Sequence, residues 1–128
     1  MKLTIILIAV FGVAAIFIFI GCSKRQAPST STSSGYTPPT LDPQNVPTQF
    51  RDLVPLATKW GIGDDEYRSD MHAKASEQDK QELQQALKGR ARAINDWLDT
   101  FGKGKMTPEA AAFMYMMLGV DEMGMKLE

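Results

Sequence analysis

The stretch "TPEAAAFMYMMLGV", residues 107–120, carries the strongest helix signal in the chain. Thr107 is a residue type that caps helix N-termini, Pro108 suits the first helical position, and Glu109 brings negative charge to the first turn. Apolar side chains then cover most of the helix circumference: Ala110, Phe113, Met114, Met116, Met117, Leu118 and Val120. A helix that is apolar nearly all round is usually buried. We therefore predict a helix from 107 to about Gly124 at the centre of the fold.

Three further helices are predicted before the central one. The first covers 52–61, and the second covers roughly 64–74. The third is predicted as one long helix over 76–102, because its apolar residues fall in a single stripe about 100° wide. These residues are Leu83, Leu87, Ile94, Trp97, Leu98 and Phe101. With no strand-like alternation, the sequence predicts an all-α domain over 49–128, a small bundle of about four helices.

Length, charge and rare residues limit the function classes. A chain of 128 residues with a net charge of −1 accommodates one small domain, and it lacks the basic excess expected of a nucleic-acid-binding protein. Cys22 is the single cysteine, which excludes an intrachain disulfide. His72 is the single histidine, and we interpret it as a surface residue. Neither a His-rich metal site nor a Cys–His catalytic pair is therefore predicted in the domain.

The N-terminal segment has the layout of a secretory signal. Lys2 precedes an apolar run from Leu3 to Ile20, and the small residue Gly21 stands before Cys22. The sequence Phe-Ile-Gly-Cys at 19–22 resembles the lipobox of bacterial lipoproteins, with phenylalanine where that family usually has leucine. The resemblance implies that residues 1–21 are a lipoprotein signal peptide, cut between Gly21 and Cys22, and that Cys22 carries a diacylglyceryl group and an acylated amino end.

An uncleaved transmembrane anchor is the alternative interpretation of this segment. Leu3–Ile20 has 18 residues, close to the ~20 that a spanning helix needs. Both interpretations place 23–128 at a membrane, outside the cytoplasm. Ser23 follows the cysteine where aspartate would retain a lipoprotein at the inner membrane, so either the cell membrane or the outer membrane is allowed.

Residues 22–48 are predicted to be a disordered tether that starts at the lipidated cysteine. Proline, serine and threonine dominate this range. Its few apolar side chains do not offset an ordering cost of roughly 1–2 kcal/mol per residue. We expect the tether to separate the membrane anchor from the helical domain.

Three residues of the domain are candidates for binding a partner. Arg90 falls inside the apolar stripe of the third helix. It either extends its head into water or pairs with a carboxylate of another protein. Met116 and Met123 are predicted to lie on the exposed side of the last helix.

The methionine-rich C-terminal region has three interpretations. Six methionines lie within 106–125. They either fill the core, or form an adaptable groove for a partner helix or peptide, or offer thioether ligands to Cu(I).

The acidic group at the start of the second helix is the one candidate for catalysis. It contains Asp64, Asp65, Glu66 and Asp70, which either cap and solvate the helix start or form a metal or acid–base site. Because no nucleophile motif, phosphate-binding loop or metal-ligand spacing is present, we predict a protein that is not an enzyme and needs no cofactor.

The predicted function is that of a membrane-anchored bacterial lipoprotein presenting a small helical protein-binding module in the cell envelope. An inhibitor, an immunity protein and an assembly factor all fit this description. The predicted partners are membrane lipid through Cys22 and an envelope protein, without nucleic acid. A small envelope hydrolase that uses Asp or Glu and a copper-handling lipoprotein remain the alternatives.

Overall fold

A computed structural model of the chain describes residues 35–127. Within that range the chain forms helices and connecting segments and contains no strand, which confirms the predicted all-α fold. None of the helices between residues 35 and 127 has the length and hydrophobicity needed to cross a bilayer. The predicted signal peptide over 1–21 and the predicted lipidation site at Cys22 lie outside the described residues.

Five α-helices follow two short 3-10 helices. The 3-10 helices cover Pro43–Asn45 and Thr48–Leu53. The α-helices are α1 (Val54–Trp60), α2 (Asp65–Lys74), α3 (Glu77–Leu87), α4 (Ala91–Asp99) and α5 (Pro108–Glu122). Side chains cap three of the five α-helix starts, in α2, α3 and α5: Asp64 accepts a hydrogen bond from the backbone of Tyr67, Ser76 from Asp79, and Thr107 from Ala110.

The prediction of one long third helix over 76–102 is wrong, because the chain turns between Leu87 and Ala91. Gly89 has a φ of +73°, which only glycine adopts without strain, and the amide of Arg90 donates to the carbonyl of Leu87 at 2.9 Å. Buried residues before and after the turn keep helical spacing. The periodicity therefore gives no sign of the change in direction.

Helix α5 is the centre of the core, as predicted. Phe113 and Val120 are fully buried, and α1 packs against α5 along its length. At the end of α1, a Cβ atom on Gly61 would overlap the carbonyl oxygen of Ala112. The ring of Trp97 packs edge-on against Phe113 with 5.3 Å between centroids, which joins α4 to the same core.

The prediction of a disordered tether over 22–48 is wrong for residues 35–48, and the domain begins earlier than residue 49. Leu41 and Val46 are buried in the core. The amide of Asp42 donates to Oε1 of Glu109 at 2.9 Å. Two isolated apolar residues among prolines show no helical or strand period, so the sequence does not reveal their burial. Residues 22–34 lie outside the described part of the chain.

Glu109 fixes this N-terminal segment to the start of α5. Its side chain is almost completely buried. Burial raises the pKa of Glu109, but hydrogen bonds from the backbone of Asp42 and from the helix start outweigh that effect and hold the pKa below its usual value. The sequence predicted only a favourable charge at the helix start, and the structure adds a long-range contact.

Candidate functional site

An open groove of about 690 Å³ lies between α4 and α5. The first residues of α4 and the chain that follows α5 both line the groove, and the short segment 100–107 joins the two helices. Six large apolar side chains line the groove: Leu98, Met114, Met117, Leu118, Met125 and Leu127. The groove is therefore rich in methionine, and polar and apolar atoms contribute to its lining in nearly equal measure.

Helical spacing places the α5 side chains of the groove together. Met114, Met117, Leu118 and Asp121 stand at positions i, i+3, i+4 and i+7, so they share one side of the helix. The opposite side of α5 is buried in the core. An aspartate, Asp121, follows the three apolar residues on this side. A charged residue at this spacing indicates a side of the helix that the rest of the domain does not cover completely.

The floor of the groove is partly open to solvent. Leu118 is 40% exposed, and it is the one exposed large hydrophobic residue between 35 and 127. Met114, Met117 and Met125 are partly buried and pack against the core. Methionine side chains are unbranched and polarisable, so they adjust to the shape of a bound apolar surface. These apolar side chains are therefore more stable in contact with an apolar surface of a partner than in contact with water.

Charged side chains form the rim of the groove. Arg92 and Asp96 come from α4, and Asp121 comes from α5. None of these three side chains forms an ion pair with another described residue. Two carboxylates face one guanidinium, which gives the lining a net charge of about −1 at neutral pH.

The methionines predicted for partner binding are not those of the groove. The prediction that Met116 lies on the surface is wrong, since its exposure is 0%. Met116 is two positions from Met114, about 200° round the helix, and so it faces the core. Met123 is partly buried at the end of α5 and packs against the core. Met114 and Met117 pack against the core and also line the groove.

Arg90 pairs within its own domain. Its guanidinium donates two parallel hydrogen bonds to the carboxylate of Asp52, at 2.7 and 2.8 Å, and another to the carbonyl of Gln49. The hydrogen bond from Arg90 lowers the pKa of Asp52. The carboxylate that Arg90 binds thus belongs to the same chain and not to another protein, and the contact ties the start of α4 to the second 3-10 helix, Thr48–Leu53.

A second polar cluster joins α2 to the end of α5. The buried guanidinium of Arg68 donates to both carboxylate oxygens of Glu122, at 2.9 and 3.0 Å. It also donates to the carbonyl of Ile62 at 2.9 Å and to Asp65 at 2.7 Å. The hydrogen bond from Arg68 holds the pKa of Glu122 below its usual value, which makes this carboxylate a poor proton acceptor at neutral pH.

The prediction that His72 lies on the surface is wrong. Its Nδ1 lies 3.5 Å from Glu122, and its Nε2 is buried with no hydrogen bond to any described residue. A Cβ on Gly119 would lie 2.9 Å from that Nε2, so the ring packs directly on α5. Burial lowers the pKa of His72 more than the nearby carboxylate of Glu122 raises it.

Three of the four residues of the acidic group at the start of α2 make structural contacts, and the fourth, Glu66, is exposed. Asp64 caps the helix, Asp65 pairs with Arg68, and Asp70 pairs with Lys74 at 2.5 Å. Across residues 35–127, no group of three or more His, Cys, Asp or Glu side chains is arranged to hold a metal ion. The groove is therefore the site that the side-chain arrangement supports best.

Comparisons of the chain with protein-family models, with curated proteins and with solved structures found no match.

Proposed function

We propose that this protein is a membrane-anchored lipoprotein of the bacterial cell envelope whose helical domain binds another envelope protein through the groove between α4 and α5. The observation that carries the proposal is the exposed Leu118 beside three adaptable methionines. Covering apolar surface yields roughly 25 cal/mol per Å². Apolar surface rimmed by polar groups is typical of interaction sites. An inhibitor, an immunity protein or an assembly factor would use such a surface.

The N-terminal sequence supports the membrane anchor. Gly21 and Cys22 stand at the end of the apolar run in the order that lipoprotein processing requires. Cys22 and Gly35, the first described residue, are separated by thirteen peptide steps, which span at most roughly 45 Å. A domain anchored at Cys22 therefore stays close to the cell membrane or outer membrane, where its partners would be membrane or envelope proteins.

The anchor is tested by the intact mass of the protein extracted from membranes, compared with a Cys22→Ala variant. We expect the wild type to have the mass of residues 22–128 plus lipid, and the variant to lack this species. An unlipidated, full-length mass in both samples would contradict the lipid anchor. It would support instead a retained transmembrane segment at Leu3–Ile20.

The binding surface is tested in intact cells by photo-crosslinking. A benzophenone amino acid replaces the exposed Leu118 in one strain and the exposed Ser69 of α2 in a control strain. We expect a discrete adduct with an envelope protein from position 118 and none from position 69. The identity of the captured protein would then separate inhibition or immunity from assembly. Equal adducts from both positions, or none from position 118, would contradict the proposal.

A further inference from the structure

We infer that the occupant of the groove is an amphipathic helix of a partner protein that carries Lys or Arg beside its apolar stripe. This inference rests on the proposed function and names the chemistry of the partner. Three properties of the groove support it: its length, the type of backbone that surrounds it, and the charge of its rim.

The length of the groove matches two turns of helix. Ala91 to Leu98 on α4 and Met114 to Asp121 on α5 each extend about 11 Å at 1.5 Å per residue. Partner helices commonly insert apolar side chains at i, i+3, i+4 and i+7, which cover the same length. The volume of about 690 Å³ is sufficient for a few apolar side chains.

The surroundings of the groove favour a helix over an extended peptide. An extended segment gains affinity by pairing its backbone with the open edge of a sheet. Both walls of this groove are α-helices, whose backbone hydrogen bonds are made internally. A helical occupant satisfies its own backbone in the same way and presents only side chains to the methionines.

The charges of the rim favour a partner helix that carries positive charge. Asp96 and Asp121 carry no ion pair with a described residue, and Arg92 is the only cation in the lining. Lys or Arg residues on the edges of a partner helix would pair with the two carboxylates. Acidic residues in those positions would lie near two carboxylates and only one guanidinium. The net repulsion would disfavour binding of an acidic partner helix.

The test uses the protein extracted from membranes, placed in phosphatidylcholine nanodiscs and labelled with ¹³C at the methionine methyl groups. Two synthetic helices of about 14 residues, or four turns, share the same leucine stripe and carry either Lys or Glu at all other positions. We expect the Lys helix to shift the methyl signals of Met114, Met117 and Met125 and to leave Met71 of α2 unchanged. Empty nanodiscs give the background binding of each peptide to lipid.

Charge reversal on the rim provides matched variants. Asp96→Lys and Asp121→Lys each change an exposed residue of the rim, and Glu66→Lys changes an exposed acidic residue of α2 outside the lining. We expect each rim variant to weaken binding of the Lys helix roughly fivefold at low salt. The Glu66→Lys variant should bind the Lys helix as the wild type does.

Several results would overturn the inference. They are equal affinity for the Lys and Glu helices, an absence of shifts at the groove methionines, and an equal effect of the Glu66→Lys control. Groove signals that move with protein concentration alone would show that a second copy of the chain is the occupant. In each case the proposed function would still stand if Leu118 forms its specific adduct in cells, and it would fail separately if that adduct is missing.

Discussion

Arg68 and Arg90 each donate two parallel hydrogen bonds to one carboxylate, but the two pairs lie at different depths. The side chains of Arg68 and Glu122 are 5% and 38% exposed, whereas those of Arg90 and Asp52 are 29% and 64% exposed. The pairs differ in burial, and Arg68 also donates to a second carboxylate, that of Asp65. They therefore allow one type of interaction to be measured at two depths in a single protein.

The expected coupling energies follow from solvent access. Exposed pairs contribute about 0.2–1 kcal/mol, and removal of one partner from a fully buried pair costs about 3–5 kcal/mol. The Arg68–Glu122 pair lies between these limits, because water still reaches its carboxylate. We expect a coupling of about 2 kcal/mol for Arg68–Glu122 and about 0.5 kcal/mol for Arg90–Asp52.

Two double-mutant cycles measure these couplings. Arg68→Met with Glu122→Gln forms the first cycle, and Arg90→Met with Asp52→Asn forms the second. Arg68→Met also leaves the buried carbonyl of Ile62 without its donor, a cost of about 1–3 kcal/mol that occurs in both the single and the double variant and therefore cancels. The free energy of unfolding is measured by urea titration of the intact protein, with tryptophan fluorescence as the signal.

Equal couplings in the two cycles, or a larger coupling for the Arg90 pair, would refute the reasoning from burial. Salt provides a further check. At an ionic strength of about 1 M the screening length falls to about 3 Å, so the Arg90 coupling should disappear while most of the Arg68 coupling remains. Loss of both couplings at high salt would show that the Arg68 pair is accessible to solvent ions.

Two further predictions concern pH and packing. The fold lowers the pKa values of both His72 and Glu122. The free energy of unfolding should therefore decrease as the pH falls below 6.5, because unfolded histidine takes up a proton there. It should decrease again below pH 4.5, where unfolded glutamate takes up a proton. A His72→Gln variant should lose the first decrease in urea titrations at a series of pH values, and an increase in stability between pH 7 and pH 5 would contradict this assignment. Gly61→Ala should lower the free energy of unfolding by about 3 kcal/mol or more, because the added Cβ overlaps the backbone of Ala112, whereas Gly35→Ala, which has open space around it, should change little. Equal stability of the two glycine variants would show that α1 and α5 separate easily.

Local sequence signals predicted the starts of α2, α3 and α5, but not the start of α4. Asp64, Ser76 and Thr107 cap α2, α3 and α5 through their own side chains, and Pro108 stands at the first position of α5. These features depend on residues within one turn of each other, so they can be inferred from sequence alone. The central position of α5 was also predictable, because its apolar residues surround most of the helix.

Long-range contacts were not predictable. Nothing near Glu109 in the sequence indicates that it binds the backbone of Asp42, 67 positions earlier. The partner of Arg68 is 54 positions away, and the acidic residues close to Arg68 in sequence were interpreted either as a capped, solvated helix start or as a metal or acid–base site. The turn at Gly89 was missed because apolar spacing continues on both sides of it. The period of the apolar residues describes one helix at a time, and it does not indicate how two helices pack against each other.

One side of helix α5 makes contacts that stabilise the fold, and a different side lines the groove. At 100° per residue, Glu122 and Tyr115 lie within about 20° of each other, on the side that contacts Arg68 of α2. The groove residues Met117 and Asp121 are centred more than 100° away, with the exposed Leu118 between the two sides. Substitutions in the Arg68 cluster should therefore lower the free energy of unfolding without altering the rim of the groove. Substitutions at the exposed groove residues should change binding at little cost in stability, because these side chains are already in contact with water.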